Sequence, residues 1–191
     1  MNFLAHLWLA DRTQTSLAGS VLGDVVRGAD LSAYPPDIAL GIRLHRRVDA
    51  TTDRHPAMVE ARSRFAPGAR RYAGIVLDLA ADHALATAWP RLHSEPLAPF
   101  AQRCGSAMAA AAPWFVLGGS RRPDAQGFAE LLQSYATPSG IVLAVRRVAA
   151  RLRDPQGLID ASTQWPEVSA TLDAQLEPLL QDLIAAMRRP V

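Results

Sequence analysis

The segment from Leu44 to Pro56 concentrates chemically active side chains in a chain that is otherwise mostly alanine, leucine and valine. It holds two histidines, two aspartates and three arginines. In a helix, His45 and Asp49 would lie one turn apart on the same face. Such a pair can bind one metal ion, or the carboxylate can orient the imidazole. Taken alone, the segment favours a simpler interpretation, an intrahelical charge pair at a solvated helix end.

Four of the five histidines and the acids in apolar surroundings lie within the first 83 residues, and His93 is the one histidine beyond them. These clustered residues are His6, Asp24, His45, His55, Asp78, Asp82 and His83. A buried carboxylate costs several kcal/mol unless it is paired or binds a cation. Helical bundles build metal sites from side chains on facing helices. Mixed histidine and aspartate ligands suit Mn²⁺, Fe²⁺ or Zn²⁺, and carboxylate-rich sets favour Mn²⁺ or Mg²⁺.

Each of these residues also has an ordinary structural interpretation, so spacing leaves a metal site and a purely structural role equally open. His6 could be a core histidine bonded to a backbone carbonyl, and Asp24 could pair with Arg27. Asp82 could lie on the wet edge of its helix. His83 follows it and points about 100° away on an ideal helix. The order Asp82-His83 reverses the His-Asp doublet of one class of helical metal phosphohydrolases.

The spacing of apolar residues predicts helices throughout and no strands. Their expected ranges are 2–10, 16–27, 35–52, 56–65, 70–89, 97–112, 125–135, 139–153 and 166–188. Gly28 and Pro90 are expected to end the second and fifth of these. The sequence therefore predicts an all-α, single-domain helical bundle of about eight or nine helices over residues 1–191. The candidate metal residues fall in about 1–90, and 91–191 forms the helical remainder.

Composition excludes several other classes of protein. Cys104 is the single cysteine, which excludes an intrachain disulfide framework and a cysteine zinc site, and its alanine-rich surroundings predict a core position. No apolar run approaches the ~18 residues of a membrane span. The N-terminal segment lacks the basic region of a signal peptide, so a cytoplasmic location is expected. Glycine-rich phosphate loops and nucleophile-elbow serines are also missing from the sequence.

The 20 basic residues are all arginine, and many occur in pairs. Arg146, Arg147 and Arg151 give one predicted helix a broad basic side. This side is either ordinary solvated surface or a dock for an anionic partner, such as an acidic protein. A nucleic-acid partner is disfavoured, because the formal net charge is only +2 and no aromatic residues interleave with the arginines.

Five motifs, in order, closely resemble those of the acyl carrier protein phosphodiesterase family. They are Met1–Leu7 (MNFLAHL), Gly23–Gly28 (GDVVRG), Gly41–Asp49 (GIRLHRRVD), Thr52–Pro56 (TDRHP) and Leu77–His83 (LDLAADH). The combination is specific, whereas each motif alone would not be. The family pattern usually has a histidine where this chain has Trp8.

The resemblance implies a divergent, HD-domain-like helical relative of the His-Asp metal phosphohydrolases that uses Mn²⁺. Members of the family release 4′-phosphopantetheine from the serine of holo-acyl carrier protein. On this basis the expected metal ligands are His6, Asp24, His45, Asp82 and His83, with Asp24 foremost.

The same resemblance suggests roles for the other charged residues. Asp49 and Asp78 are expected to orient ligands or to act as general bases, and Arg46 or Arg47 to contact phosphate oxygens. The basic helix would dock the acidic carrier protein. Two alternatives stay open: a related metal phosphohydrolase acting on a nucleotide or small phosphodiester, and a non-enzymatic helical binding module.

Overall fold

The computed structural model describes residues 1–189, and this part of the chain is helical without strands, which confirms the all-α prediction. Eleven α-helices lie in this range: α1 (Phe3–Arg12), α2 (Leu17–Leu22), α3 (Pro36–Arg54), α4 (Pro56–Ser63), α5 (Ala73–Leu92), α6 (Leu97–Ala110), α7 (Ala112–Leu117), α8 (Ala125–Ser134), α9 (Pro138–Ala149), α10 (Pro155–Ser162) and α11 (Trp165–Met187). A single 3₁₀ turn, Arg70–Tyr72, precedes α5.

Several helix boundaries differ from the expected ones, and α7 and α10 have no counterpart among the expected ranges. Pro155 begins α10, whose first turn is capped by the Asp154 carboxylate accepting from the Gly157 N–H. Pro90 lies inside α5, which continues to Leu92. A proline near a C-terminus removes only one N–H from the helix ladder. The second helix ends at Leu22, well before Gly28.

Helix α5 lies at the centre of the bundle and packs against α1, α9 and α11. Its Leu77, Leu85 and Trp89 side chains are fully or almost fully buried. One continuous hydrophobic cluster runs from α1 to α11. Because α5 is covered on most sides, an acid on this helix must find a partner or face a gap between its neighbours.

Helices α2 and α3 cross in close contact through a pair of glycines. A Cβ on Gly41 would lie 2.8 Å from the Cα of Gly19, and a Cβ on Gly19 would lie 2.7 Å from the Ile38 carbonyl oxygen. Only glycine permits this approach without moving a backbone. The crossing holds the end of α2 beside the middle of α3, where His45 lies.

Cys104 is buried in α6, as its surroundings predicted. Burial raises the pKa of its thiol to about 12. The thiol therefore stays neutral at physiological pH, and Cys104 acts as a small core residue rather than as a nucleophile.

A candidate metal centre

Helices α1 and α3 bring His6, His45 and Asp49 together. One ligand atom from each lies within 4.8 Å of the others, a spacing that could hold a metal ion. Asp49 joins the two rings: its Oδ1 lies 3.0 Å from His6 Nε2 and its Oδ2 lies 3.0 Å from His45 Nε2. The two imidazoles stack with centroids 3.9 Å apart. We call these three residues the His-His-Asp group.

A backbone contact fixes the orientation of His45. Its Nδ1–H donates to the Ser20 carbonyl oxygen at 2.7 Å, which directs Nε2 toward the carboxylates. Gly23 makes room for the ring, since a Cβ there would lie 2.2 Å from it. The turn that follows Gly23 carries Asp24, whose Oδ1 lies 3.5 Å from His45 Nε2. This close contact places Asp24 beside the ring.

The protonation states within the group follow from its geometry. Burial by itself would lower the pKa of His45, but hydrogen bonds to Asp24 and Asp49 raise it to about 9. Burial lowers the pKa of His6 to about 4. Burial would raise the pKa of Asp49, but hydrogen bonds from both imidazoles hold it well below its usual range. Without a metal, a proton on His45 therefore balances the carboxylates, and a cation could replace it.

Asp78 lies at the edge of the group, next to the chain's amino terminus. The Met1 ammonium is buried and lies 3.0 Å from Asp78 Oδ1 and 3.7 Å from Asp49 Oδ1. Asp78 is 39% exposed. Partial burial raises its pKa despite the neighbouring ammonium. A carboxylate with a raised pKa beside a candidate metal centre is suited to proton transfer.

The structure does not bring Asp82 and His83 into the His-His-Asp group. Asp82 is fully buried, and its two carboxylate oxygens accept hydrogen bonds from the Leu4 and Ala5 N–H groups at 2.8 and 3.0 Å. It therefore caps the N-terminus of α1 from another helix. Burial raises its pKa to about 7. His83 donates its Nδ1–H to the Tyr135 carbonyl at 2.7 Å and is not part of the group.

Backbone carbonyls take up part of the hydrogen-bonding capacity of both arginines expected at the phosphate. Arg46 Nη2 donates to the Val26 carbonyl at 3.0 Å. Arg47 Nη1 donates to the Ala186 and Arg189 carbonyls at the end of α11, at 3.3 and 2.6 Å. A guanidinium has five N–H donors, so these contacts do not by themselves preclude a phosphate contact.

The arginines expected at the partner dock lie on the surface. Arg146 and Arg147 are exposed on α9, and Arg151 is exposed just beyond its C-terminus. Arg146 lines a cavity between α5, α9 and α10. Each could meet a partner without first breaking a buried contact.

Trp8 and the turn at Asp53-His55 lie outside the group. Trp8 is 3% exposed and its indole N–H donates to the Leu92 carbonyl at 3.3 Å. The His55 side chain accepts from the Ala57 N–H and so caps α4. Asp53 pairs with Arg62. Through these contacts Asp53 and His55 take part in the turn between α3 and α4.

Sequence reasoning missed three features of the centre: the Ser20 carbonyl, the Met1 ammonium and the space at Gly23. None has a sequence signal, because each depends on how α1, α2 and α3 pack. The spacing of His45 and Asp49 did give a signal. It could not show that Asp49 also reaches His6 on another helix.

The fold and the site together define a class: an all-helical protein with a mixed histidine and carboxylate centre able to hold a divalent cation. A family model described as acyl carrier protein phosphodiesterase matches residues 1–183. The chain therefore belongs to the acyl carrier protein phosphodiesterase family.

Curated relatives agree with this assignment. The chain is 46% identical over 114 residues to an acyl carrier protein phosphodiesterase of Enterobacter sp. strain 638, covering 59% of each chain. It is 46% identical over 101 residues to the protein of that name from Escherichia coli O139:H28, covering 52% of each. The matched region thus spans a little over half the length of these relatives. No solved structure matches.

The helices of this protein are short or polar compared with membrane-spanning helices. Within the described residues, none combines the length and hydropathy needed to cross a bilayer.

Proposed function

We propose that this protein hydrolyses the phosphodiester that links 4′-phosphopantetheine to a serine of holo-acyl carrier protein, leaving the apo-carrier. The observation that carries the proposal is the His-His-Asp group in a chain of this family. The name shared by its relatives supports the substrate. We propose a cytoplasmic location as well, where carrier proteins are made and used.

The donor set fits a divalent cation. His6 and His45 would supply Nε2, and Asp49 would supply carboxylate oxygen, with Asp24 close enough to join them. We propose Mn²⁺, with Mg²⁺, Fe²⁺ and Zn²⁺ as alternatives, because the set mixes nitrogen with hard oxygen donors. Such an ion polarises a phosphoryl oxygen and makes a water molecule more acidic.

The chain's own residues provide the rest of the chemistry. Ser20 and Gly23 hold His45 in the tautomer whose Nε2 can bind a cation. Asp78 is the group we assign to take the proton from the attacking water, since its pKa is raised and its carboxylate is partly exposed. The water oxygen bonds to phosphorus, the bond from phosphorus to the serine oxygen breaks, and the proton on Asp78 can return to the leaving serine.

Arginines would bind the negatively charged groups of the substrate. Arg46 and Arg47 remain our candidates for the phosphate oxygens. Arg146, Arg147 and Arg151 would attract the acidic carrier from the exposed side of α9. No nucleic acid is expected as a partner.

The direct test is incubation with Mn²⁺ and holo-acyl carrier protein, followed by mass spectrometry of the carrier. We expect loss of the phosphopantetheine mass with the wild-type protein. Asp24→Ala and His45→Gln should lose turnover while the helical circular dichroism is kept. His93→Gln is the matched control, because His93 forms a similar buried pair with Asp11, at 3.0 Å, away from the group.

Two outcomes would overturn the proposal. If the carrier keeps its mass under all metals tried, the substrate is wrong. If Asp24→Ala and His45→Gln turn over at the wild-type rate, the site is wrong. Hydrolysis of small phosphodiesters without action on the carrier would favour the related metal phosphohydrolase.

A further inference from the structure

A cavity of about 480 Å³ is lined by His83 of α5 and by residues of the helices that follow it, and none of the His-His-Asp group is among its lining residues. Most of its wall comes from α9, α10 and the start of α11, and the apolar part of the lining includes four aliphatic side chains: Ile141, Val142, Val145 and Ile159. Trp165 closes one side, where its ring lies 5.7 Å from that of His83. Its volume is within the range of small-molecule sites, about 300–1,000 Å³.

Four polar residues line the cavity, and one of them is a strong cation: His83, Arg146, Ser162 and Thr163. Arg146 is exposed and forms no ion pair within residues 1–189. His83 is held by the Tyr135 carbonyl through Nδ1. Acidic side chains are missing from the lining. The cavity therefore combines aliphatic side chains with one cationic side chain.

The cavity continues into exposed apolar surface. Val142, which lines the cavity, is 52% exposed, and its neighbour Leu143, which does not line it, is 44% exposed, although both lie on a helix whose other face is buried. Exposed aliphatic side chains beside an apolar cavity extend the surface that a chain-like ligand could cover. A compact polar ligand would leave this apolar surface exposed to water.

From these contacts we infer that the cavity between α5, α9, α10 and α11 binds a linear aliphatic carboxylate, a fatty acid, with its chain against Ile141, Val145 and Ile159 and its carboxylate on Arg146. The aliphatic wall selects the chain, and charge complementarity selects the head group. Arg146 is shared with the proposed carrier dock, but binding of a fatty acid does not depend on the proposed hydrolytic function and can be tested without any activity.

Isothermal titration calorimetry with decanoate tests the inference on the full chain. Arg146→Gln should weaken decanoate binding by about tenfold, because a charge-assisted hydrogen bond is lost. Arg147→Gln is the matched control: Arg147 is the next exposed arginine on α9 and does not line the cavity, so it should change affinity by less than about twofold. 1-Decanol should bind the wild type and Arg146→Gln equally.

A second variant tests the location independently. Val142→Trp places a large ring at the cavity without opening the core, since Val142 is half exposed, and it should abolish binding while the melting temperature stays near that of the wild type. The inference is overturned if decanoate does not bind, if Val142→Trp binds it normally, or if Arg146→Gln and Arg147→Gln behave alike. A decanoyl thioester that binds more tightly than decanoate and ignores Arg146→Gln would overturn the carboxylate assignment.

Discussion

The same type of hydrogen bond fixes the rings of His45 and His83, which lie in two regions of the molecule with different surroundings. Each donates its Nδ1–H to a backbone carbonyl at 2.7 Å. At His45, Nε2 faces the Asp49 and Asp24 carboxylates. His83 instead borders an aliphatic cavity.

The difference shows that a fixed tautomer alone does not make a metal ligand. An imidazole nitrogen becomes a candidate ligand when other donors converge on the same point. Helix α3 supplies such a donor one turn away, and α1 supplies another across the helix contact. On α5, the neighbouring carboxylate of Asp82 is already used to cap α1.

The comparison is tested most strongly by replacing each histidine with glutamine. We expect His45→Gln to weaken Mn²⁺ binding by at least about 100-fold, because it removes a ligand. His83→Gln should change it by less than about threefold, since no other donor of the group lies near His83. Titration of purified protein, followed by Mn²⁺ electron paramagnetic resonance, measures both. Equal losses would restore Asp82-His83 as part of the metal site.

The packing beneath His45 gives the next test. Gly41→Ala would force α2 and α3 apart, because the new Cβ would lie 2.8 Å from Gly19. We expect about 1–3 kcal/mol of lost stability, together with weaker Mn²⁺ binding as Ser20 moves away from His45. Gly74→Ala in α5 is the control: its Cβ meets nothing within 4 Å, and it should be neutral or slightly stabilising. Chemical denaturation and metal titration of both variants would show whether the glycine contact positions the site.

The pH dependence of stability distinguishes a His-His-Asp group that carries a proton on His45 from one that holds a metal ion. The pKa of His45 is raised from 6.5 to about 9, so metal-free protein should be fully stabilised by this charge below pH 6.5 and lose that stabilisation as pH rises through 9. The loss is roughly 1–3 kcal/mol.

With saturating Mn²⁺ the trend should reverse, because the ion competes with the proton and its stabilising effect grows as pH rises. Melting curves from pH 6.5 to 9, with and without Mn²⁺, measure both trends. The His45→Gln variant controls for the Met1 ammonium, which it retains. A wild-type slope that Mn²⁺ leaves unchanged would indicate an ion pair without a metal.

The smallest expected effect concerns the carrier dock. Replacing Arg146 and Arg147 with glutamate should raise KM several-fold and weaken its dependence on salt, because exposed charges act mainly through long-range attraction. Replacing the exposed pair Arg121 and Arg122 in the same way controls for net charge. Equal effects of the two double variants would show that net charge, rather than α9, attracts the carrier.

The sequence predicted most of the helices because their apolar spacing is strong. Leu172, Leu176 and Leu183 of α11 are buried, as that spacing required. The early end of α2 and the contact of Gly23 with His45 could not be predicted, since the apolar spacing of residues 16–27 continues to Val25. A single chain's local pattern does not record such a contact between helices.

For the site, the sequence identified the residue types and the i, i+4 pair on α3. The sequence could not show which aspartate is a metal ligand, because Asp49 and Asp82 both lie within helices that contain a histidine. Only packing shows that one joins two imidazoles and that the other meets two N–H groups. The cap made by Asp82 is part of the structure, and the role of Asp49 as a metal ligand is a prediction.

The most direct measurement is a crystal structure of the protein grown with Mn²⁺, with anomalous diffraction recorded above the manganese edge. We predict an anomalous peak bounded by His6 Nε2, His45 Nε2 and the Asp49 carboxylate, with Asp24 at its open side. A peak beside Asp82 and His83, or no peak at the His-His-Asp group at saturating Mn²⁺, would contradict the account.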